Sequence, residues 1–312
     1  MQTHWDNYLT LSIVHFMAFP ETIGGEGPIV ETVTRIAEDD FFGAIEIGWI
    51  KDDAVRAQVR SVLEQSHLQV GYGGQSALLL QKLNLNSLVE KERRAAMAQM
   101  KACMDEAVEV GARRMAFLSG PDPGDAHRQR TFDLLVESVR EMCAYARQAG
   151  LEGLTLETFD RQVDKKALIG PSDDAARLAA VIRQEYPEFG LMYDLSHMPL
   201  LNEEPEQALG LIKDYLVHVH VGNCVKTPGA EGYGDLHPRF GFPGGENDVE
   251  QLAEFIRALF KIGYLKDVGA GGSARPEERP WVGFEVKPWA GESSELVIAG
   301  AKRVWKQAWA RV

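Results

Sequence analysis

Cysteine is scarce in this chain and basic charge is in deficit. The 312 residues include three cysteines, Cys103, Cys143 and Cys224, an odd number with no C-x-x-C spacing. That excludes a disulfide framework and fits a reducing compartment, so a cytoplasmic location is expected. Cys224 has no base beside it in sequence and reads as a small loop residue rather than a nucleophile. Against 46 acidic residues stand 33 basic ones, for a formal charge of −13. Nucleic-acid binding needs a basic footprint to replace phosphate counterions, so that class is excluded and a small neutral or polar substrate fits better. Long apolar runs are also missing. "YLTLSIVHFMAF" is preceded by Asp6, interrupted by His15 and lacks a basic leader, so neither a signal peptide nor a membrane span is expected. No low-complexity stretch or linker marks a boundary, and residues 1–312 read as one domain.

What is present is strict alternation. Short apolar runs at 9–16, 43–49, 68–72, 113–119, 153–158, 190–195, 216–221 and 281–286 read as strands. Amphipathic patterns at roughly 28–40, 52–66, 87–110, 128–149, 172–186, 203–214, 248–262 and 294–311 read as helices. Ser87 and Glu90 have the spacing of a capping box, and Gly111, Gly150 and Gly263 stand where left-handed helix ends are wanted. Eight strand–helix units predict a parallel (β/α)8 barrel. A doubly wound sheet is the alternative, but it wants a G-x-G-x-x-G turn after the first strand, and "HFMAFPETIGG" is not one.

The period-two rule then assigns faces. In "LVHVHV" the valines Val217, Val219 and Val221 share one side, against the helices, while His218 and His220 share the interior side. The same test turns Glu157, Asp194 and Glu285 inward at the carboxyl ends of strands five, six and eight, the end where barrel enzymes keep their chemistry. Three carboxylates and His220 thus converge on one rim. Like charges in low dielectric need compensation, and a divalent cation supplies it. Three oxygen donors with one imidazole suit Mn²⁺, Mg²⁺ or Co²⁺.

The segments "LETFD", "YDLSH", "HVHVGN" and "GFEVKP" make the chain resemble the xylose isomerase-like barrel superfamily over essentially its whole length. In the ketose 3-epimerase branch one metal, Mn²⁺ here by preference, is held by Glu, Asp, His and Glu, which the resemblance places at Glu157, Asp194, His220 and Glu285. It also implies a functional histidine at His197. Two positions depart from that branch. Its substrate-binding arginine falls on Lys226, and a further glutamate falls on Val163, with Asp160 or Asp164 as possible substitutes. The chain also carries the insertion "TPGAEGYGDLHPRFGFPGGEND" after strand seven, expected to fold over the active face. A second, "KDVGAGGSARPEERP", enters strand eight from below. The first resembles the long insertion of C-glycoside deglycosidase α-subunits, which work with a partner subunit.

The implied chemistry is sugar isomerisation or epimerisation. Glu157 and Glu285 would move protons on the two faces of a keto-sugar through an enediolate, with His197 binding an oxygen or shuttling a proton. The alternative is metal-assisted β-elimination of a C-glycoside. Lys287 shares the inward phase of Glu285 and is a candidate substrate contact. For His15 and Glu46, a pocket wall and a buried hydrogen-bonded pair are equal alternatives. His237, in the insertion, is either a plain loop residue or a base. His218 reads as a hydrogen-bonded interior residue one layer below His220. Trp305 and Trp309 read as packing, or as part of a subunit contact in an expected homo-oligomer.

Overall fold

In the computed structural model, which describes residues 4–266 and 279–312, the chain forms a single eight-stranded parallel sheet surrounded by helices. The strands are β1 (Thr10–Ile13), β2 (Ala44–Ile47), β3 (Gln69–Gly73), β4 (Arg114–Leu118), β5 (Gly153–Glu157), β6 (Gly190–Asp194), β7 (Leu216–Gly222) and β8 (Trp281–Glu285). All eight coincide with the sequence-based runs to within three residues at either end, β3 and β7 running one residue further and the others ending earlier. Their order is β1-β8-β7-β6-β5-β4-β3-β2. Gly43 N donates to Leu11 O at 3.0 Å and Val14 bridges Glu46, which brings β2 back to β1 and closes the ring. This is a (β/α)8 barrel.

The helices are α1 (His15–Ala18), α2 (Ile29–Ala37), α3 (Asp53–Ser66), α4 (Gln75–Leu80), α5 (Glu90–Glu109), α6 (Asp125–Ala149), α7 (Ser172–Ile182), α8 (Met198–Leu201), α9 (Pro205–Ile212), α10 (Val249–Lys261) and α11 (Ser294–Trp309). The short α1, α4 and α8 follow strands on the carboxyl side of the barrel and carry no amphipathic period long enough to read. The cap expected from Ser87 and Glu90 is built differently. Val89 is the N-cap of α5, Val89 N donates to Ser87 Oγ at 3.1 Å, and Ser87 Oγ donates to Glu92 at 2.6 Å. Gly150 ends α6 at φ +96°, where a Cβ would be strained.

Packing follows the alternation. Leu154, Leu156, Val219, Val221, Val282 and Phe284 are buried against the helices. Each such side chain contributes about 1.5–3 kcal/mol relative to exposure. Trp305 and Trp309 are buried too, and both lie edge-on to Trp5, so packing is their role in the described structure. Inside the ring the usual branched aliphatic layers are thinned to Ser12, Gly71, Gly73, Ala116, Thr155 and Gly283. Gly283 shows why. A Cβ there would meet Glu46 Oε1 at 2.4 Å, His220 Cδ2 at 2.7 Å and Ser12 Oγ at 2.8 Å. The missing side chain makes room for a polar cluster. The segment entering β8 from below lies mostly outside the described residues.

Candidate active site

Strand register brings the predicted rim together. Asp194 pairs with His220, and Glu285 with Gly222 two residues further on, so the acidic ends of β6 and β8 lie within one layer of His220. One ligand atom from each of Glu157, Asp194, His220 and Glu285 lies within 4.8 Å of the others, and all four residues are buried. His220 Nδ1 faces Glu285 Oε2 at 2.7 Å and Glu157 Oε1 at 3.5 Å. Its other nitrogen, Nε2, donates to Glu46 Oε2 at 2.9 Å. Burial works against charge on His220, but carboxylates on both ring nitrogens outweigh it and raise its pKa well above the ordinary imidazole value. Asp194 moves up because of burial, with Glu285 adding to the effect.

The donor set fits a divalent cation. Glu157 Oε1, Asp194 Oδ2 and His220 Nδ1 are buried atoms that make no well-aligned hydrogen bond, Nδ1 having only its charge contacts with Glu285 and Glu157, and all belong to the converging set. Buried polar atoms left in this state are costly unless something ligates them. Each residue's second donor or acceptor is already engaged: Gln75 Nε2 donates to Glu157 Oε2 at 2.7 Å, Ser196 N to Asp194 Oδ1 at 2.6 Å, and His220 to Glu46. The free atoms are aimed and the bound ones hold the aim.

Glu46 takes the inward position expected of it. Its carboxylate accepts from Ser12 Oγ at 2.6 Å, His218 Nε2 at 3.1 Å and His220 Nε2 at 2.9 Å. Burial would raise its pKa, yet the two histidines hold it well below the usual carboxylate range. His218 is the hydrogen-bonded interior residue the phase implied. His15 is not in the chamber. β1 stops at Ile13 and His15 opens α1, so the strand phase does not extend to it; its Nε2 donates to Thr32 Oγ1 at 2.7 Å. Burial alone lowers its pKa to about 3. Of the two alternatives, the pocket wall holds for Glu46 and not for His15, and the two form no hydrogen-bonded pair.

The insertion after β7 covers the rim. Its two ends are tied at the base: Asn247 N donates to Asn223 Oδ1 at 2.8 Å, and Asn247 Nδ2 to Gly222 O at 3.0 Å. From this loop Asp235, fully buried, inserts between His197 Nε2 at 3.2 Å and His237 Nε2 at 3.1 Å, with Lys165 Nζ at 3.2 Å. His237 Nε2 also lies 3.5 Å from Glu285 Oε1. His197 donates from Nδ1 to Thr158 O at 2.6 Å, which leaves Nε2 toward Asp235. Burial disfavours charge on both histidines, but Asp235 outweighs it and takes His197 to about 10 and His237 to about 9. The same partners hold Asp235 well below its ordinary range despite its burial.

The chamber, about 170 Å³, is lined by Glu46, Gln75, Glu157, Lys165, His220, Asp235, His237, Glu285 and Lys287, with Phe16, Met17 and Leu79 as apolar wall. Lys226 is exposed and lies outside that lining, so it does not stand in for the family's arginine. Asp160 and Asp164 do not replace the missing glutamate at Val163. Asp160 accepts from the backbone N–H groups of Val163, Asp164 and Lys165 at 2.6–2.8 Å, and Asp164 accepts from Asp235 N at 3.2 Å. Cys224 is buried, and burial pushes its thiol pKa up, which does not suit a nucleophile. Asp235, Lys165 and Gln75 were not anticipated: all three lie in loops or short helices without a readable period. The D-x-H spacing of Asp235 and His237 inside a glycine-rich insertion was the available signal.

Residues 35–275 match the model of the xylose isomerase-like TIM barrel family, and the chain belongs to that family. No curated protein matches the chain in sequence. Among solved structures it is similar to an L-ribulose 3-epimerase, with TM-score 0.70 and 14% identity over 97% of this chain and 95% of that one. It is also similar to the 3-keto-D-glucoside 4-epimerase of E. coli, with TM-score 0.66 and 16% identity over 96% and 99%. A third similar structure is the D-psicose 3-epimerase of Clostridium cellulolyticum, with TM-score 0.61 and 17% identity over 97% and 96%. At these identities the likeness is one of fold. No helix among the described residues is long and apolar enough to cross a membrane.

Proposed function

We propose that the protein is a divalent-metal-dependent sugar isomerase or epimerase that moves protons on a keto-sugar through an enediolate. The observation carrying this reading is the set of buried donor atoms without a well-aligned hydrogen bond on Glu157, Asp194 and His220, with Glu285 completing a four-residue site at the carboxyl rim. Glu157, Asp194, His220 and Glu285 would hold the ion, with Mn²⁺ the best fit and Mg²⁺ or Co²⁺ the alternatives. When bound, it would polarise a substrate carbonyl and acidify the adjacent C–H. Glu157 on β5 and Glu285 on β8 flank that position from either side of β6 and β7, so one removes a proton and the other returns one to the opposite face. Lys287 and Lys165 line the chamber as hydrogen-bond donors for substrate oxygens. His237, held charged by Asp235, lines the chamber and is placed to donate to an oxygen or pass a proton, while His197 lies outside that lining and holds Asp235 from behind. The likeness to a 3-keto-D-glucoside 4-epimerase and an L-ribulose 3-epimerase supports the substrate class.

A second reading is favoured by one feature. The insertion brings His237 and Asp235 into contact at 3.1 Å beside Glu285, an acid–base pair a plain epimerase does not need. It would suit β-elimination from a 3-keto C-glycoside, with the chain as the α-subunit of a two-subunit enzyme. Assay of the metal-loaded protein on ketoses and on 3-keto glycosides separates the two. Interconverted sugars support the first reading, and a released aglycone the second. Full activity after EDTA treatment contradicts both.

A further inference from the structure

A second cavity, about 160 Å³, opens at the opposite, amino-terminal mouth of the barrel. Its inner wall is Gly71 on β3, Ala116 on β4, Met192 on β6, His218 on β7 and Trp281 on β8. Barrels are ordinarily filled at this depth by branched aliphatic side chains. Here glycine and alanine leave the space open, and Gly71, Ala116, His218 and Trp281 remain partly accessible although they line the interior. The floor is Glu46, which lines both cavities and separates them.

The rim is cationic in a chain of net charge −13. Arg114, at the start of β4, and Arg279, just before β8, stand on strands four places apart in the ring, on opposite walls. Arg114 donates to Glu188 O at 2.5 Å and Thr155 Oγ1 at 3.4 Å, both neutral acceptors. Burial pulls its pKa below the ordinary guanidinium value. Arg279 Nε is buried and has no hydrogen-bond partner. Among the described residues lining this rim, the carboxylate of Glu152 is engaged by Arg113 at 2.7 Å. Two half-buried guanidinium groups therefore flank the opening, and among the described residues neither forms an ion pair with a carboxylate, although Glu152 and Glu188 lie near enough to Arg114 to act on its charge. A polar group so placed favours an anionic partner. Trp281 adds a flat face that stacks well on a planar body.

We propose that this cavity binds a small organic anion: a carboxylate or phosphate monoester carried on a flat apolar body. The anionic group sits between Arg114 and Arg279, and the body lies against Trp281 and Met192. The site does not depend on the chemistry of the other rim and stands whether or not that rim isomerises sugars.

Titration calorimetry on the metal-loaded full chain, with phenyl phosphate and with benzoate as probes, tests it. Saturable one-to-one binding is expected, and benzyl alcohol, which lacks the charge, should not bind. Arg279→Gln should weaken binding by roughly tenfold or more, the loss of a charge-assisted hydrogen bond. Ala116→Leu should abolish it by filling the space. Should Ala116→Leu fail to fold, Arg279→Gln at the strand's edge decides alone. Binding that survives Arg279→Gln would place the probe elsewhere, the metal included, and would overturn the proposal. So would the absence of saturation at millimolar probe, or inorganic phosphate binding as tightly as phenyl phosphate.

Discussion

Glu46 lies 2.9 Å from His220 Nε2, on the side of the imidazole away from Glu285, whose Oε2 is 2.7 Å from Nδ1. A carboxylate on Nε2 fixes the tautomer and turns the Nδ1 lone pair toward the metal position. It also raises the basicity of the ligand nitrogen. Glu46→Gln should therefore weaken Mn²⁺ binding by roughly 10–100-fold, the range for such supporting partners. Competition with a chromogenic chelator measures this without any activity assay. Unchanged affinity would reduce Glu46 to interior packing.

The two histidines of β7 separate by one layer. His220→Ala should abolish stoichiometric metal binding, because it removes a ligand and frees three carboxylates to repel one another. His218→Ala should leave the site able to bind metal and cost about 1–3 kcal/mol of stability, the range for stranding a buried hydrogen-bond partner. Paired metal titrations and thermal melts read both. A reversal of the two phenotypes would mean that the wrong histidine faces the rim.

Asp235 organises the loop by ion pairing, and the pH dependence follows with a definite sign. His237 and His197 rise to about 9 and about 10, above the ordinary 6.5. Their stabilisation is fully present below pH 6.5 and lost as pH rises through 9 to 10. Asp235 is depressed below 3.8, so its stabilisation is present above that value and lost as pH falls through its lowered pKa. The melting temperature of the metal-free protein should thus decline on the alkaline side. Asp235→Asn should cost about 3–5 kcal/mol near pH 6, as breaking a buried ion pair does, and flatten the alkaline slope. An unaltered slope would remove Asp235 from that role.

The lysines divide in the same way. Lys226 is exposed outside the chamber, so Lys226→Ala should change kcat/KM by less than about twofold. Lys165 reaches Asp235 and lines the chamber, and Lys165→Met should lower kcat/KM by about tenfold or more. Steady-state kinetics on the substrate found by the assay above would compare them.

The barrel and the inward phase of Glu157, Asp194, His220 and Glu285 were legible because strands impose a period of two. That period converts an alternating run such as "HVHV" into a statement about faces. The rule failed at His15, where β1 gives way to α1 two residues earlier than the apolar run suggested. It had nothing to say about Asp235, Lys165 or Gln75. Those side chains are placed by loop conformation: Asp160 gathers three backbone N–H groups and Asn223 closes the insertion on Asn247. Such contacts carry no periodic trace. The thinning of the barrel interior is visible in the strands' small residues once Glu46 is known to need the room.

The central claim is that Glu157 and Glu285 move protons to and from carbon while the bound metal activates the sugar. Turnover of the ketose substrate in D₂O by the metal-loaded protein measures this directly. Solvent deuterium should appear at the carbon beside the carbonyl. Glu157→Gln and Glu285→Gln should each suppress both exchange and product by about 10²–10⁴-fold or more, the range for one acid–base group. Product that forms without any deuterium, with the substrate hydrogen retained inside the sugar, would contradict proton transfer by these carboxylates.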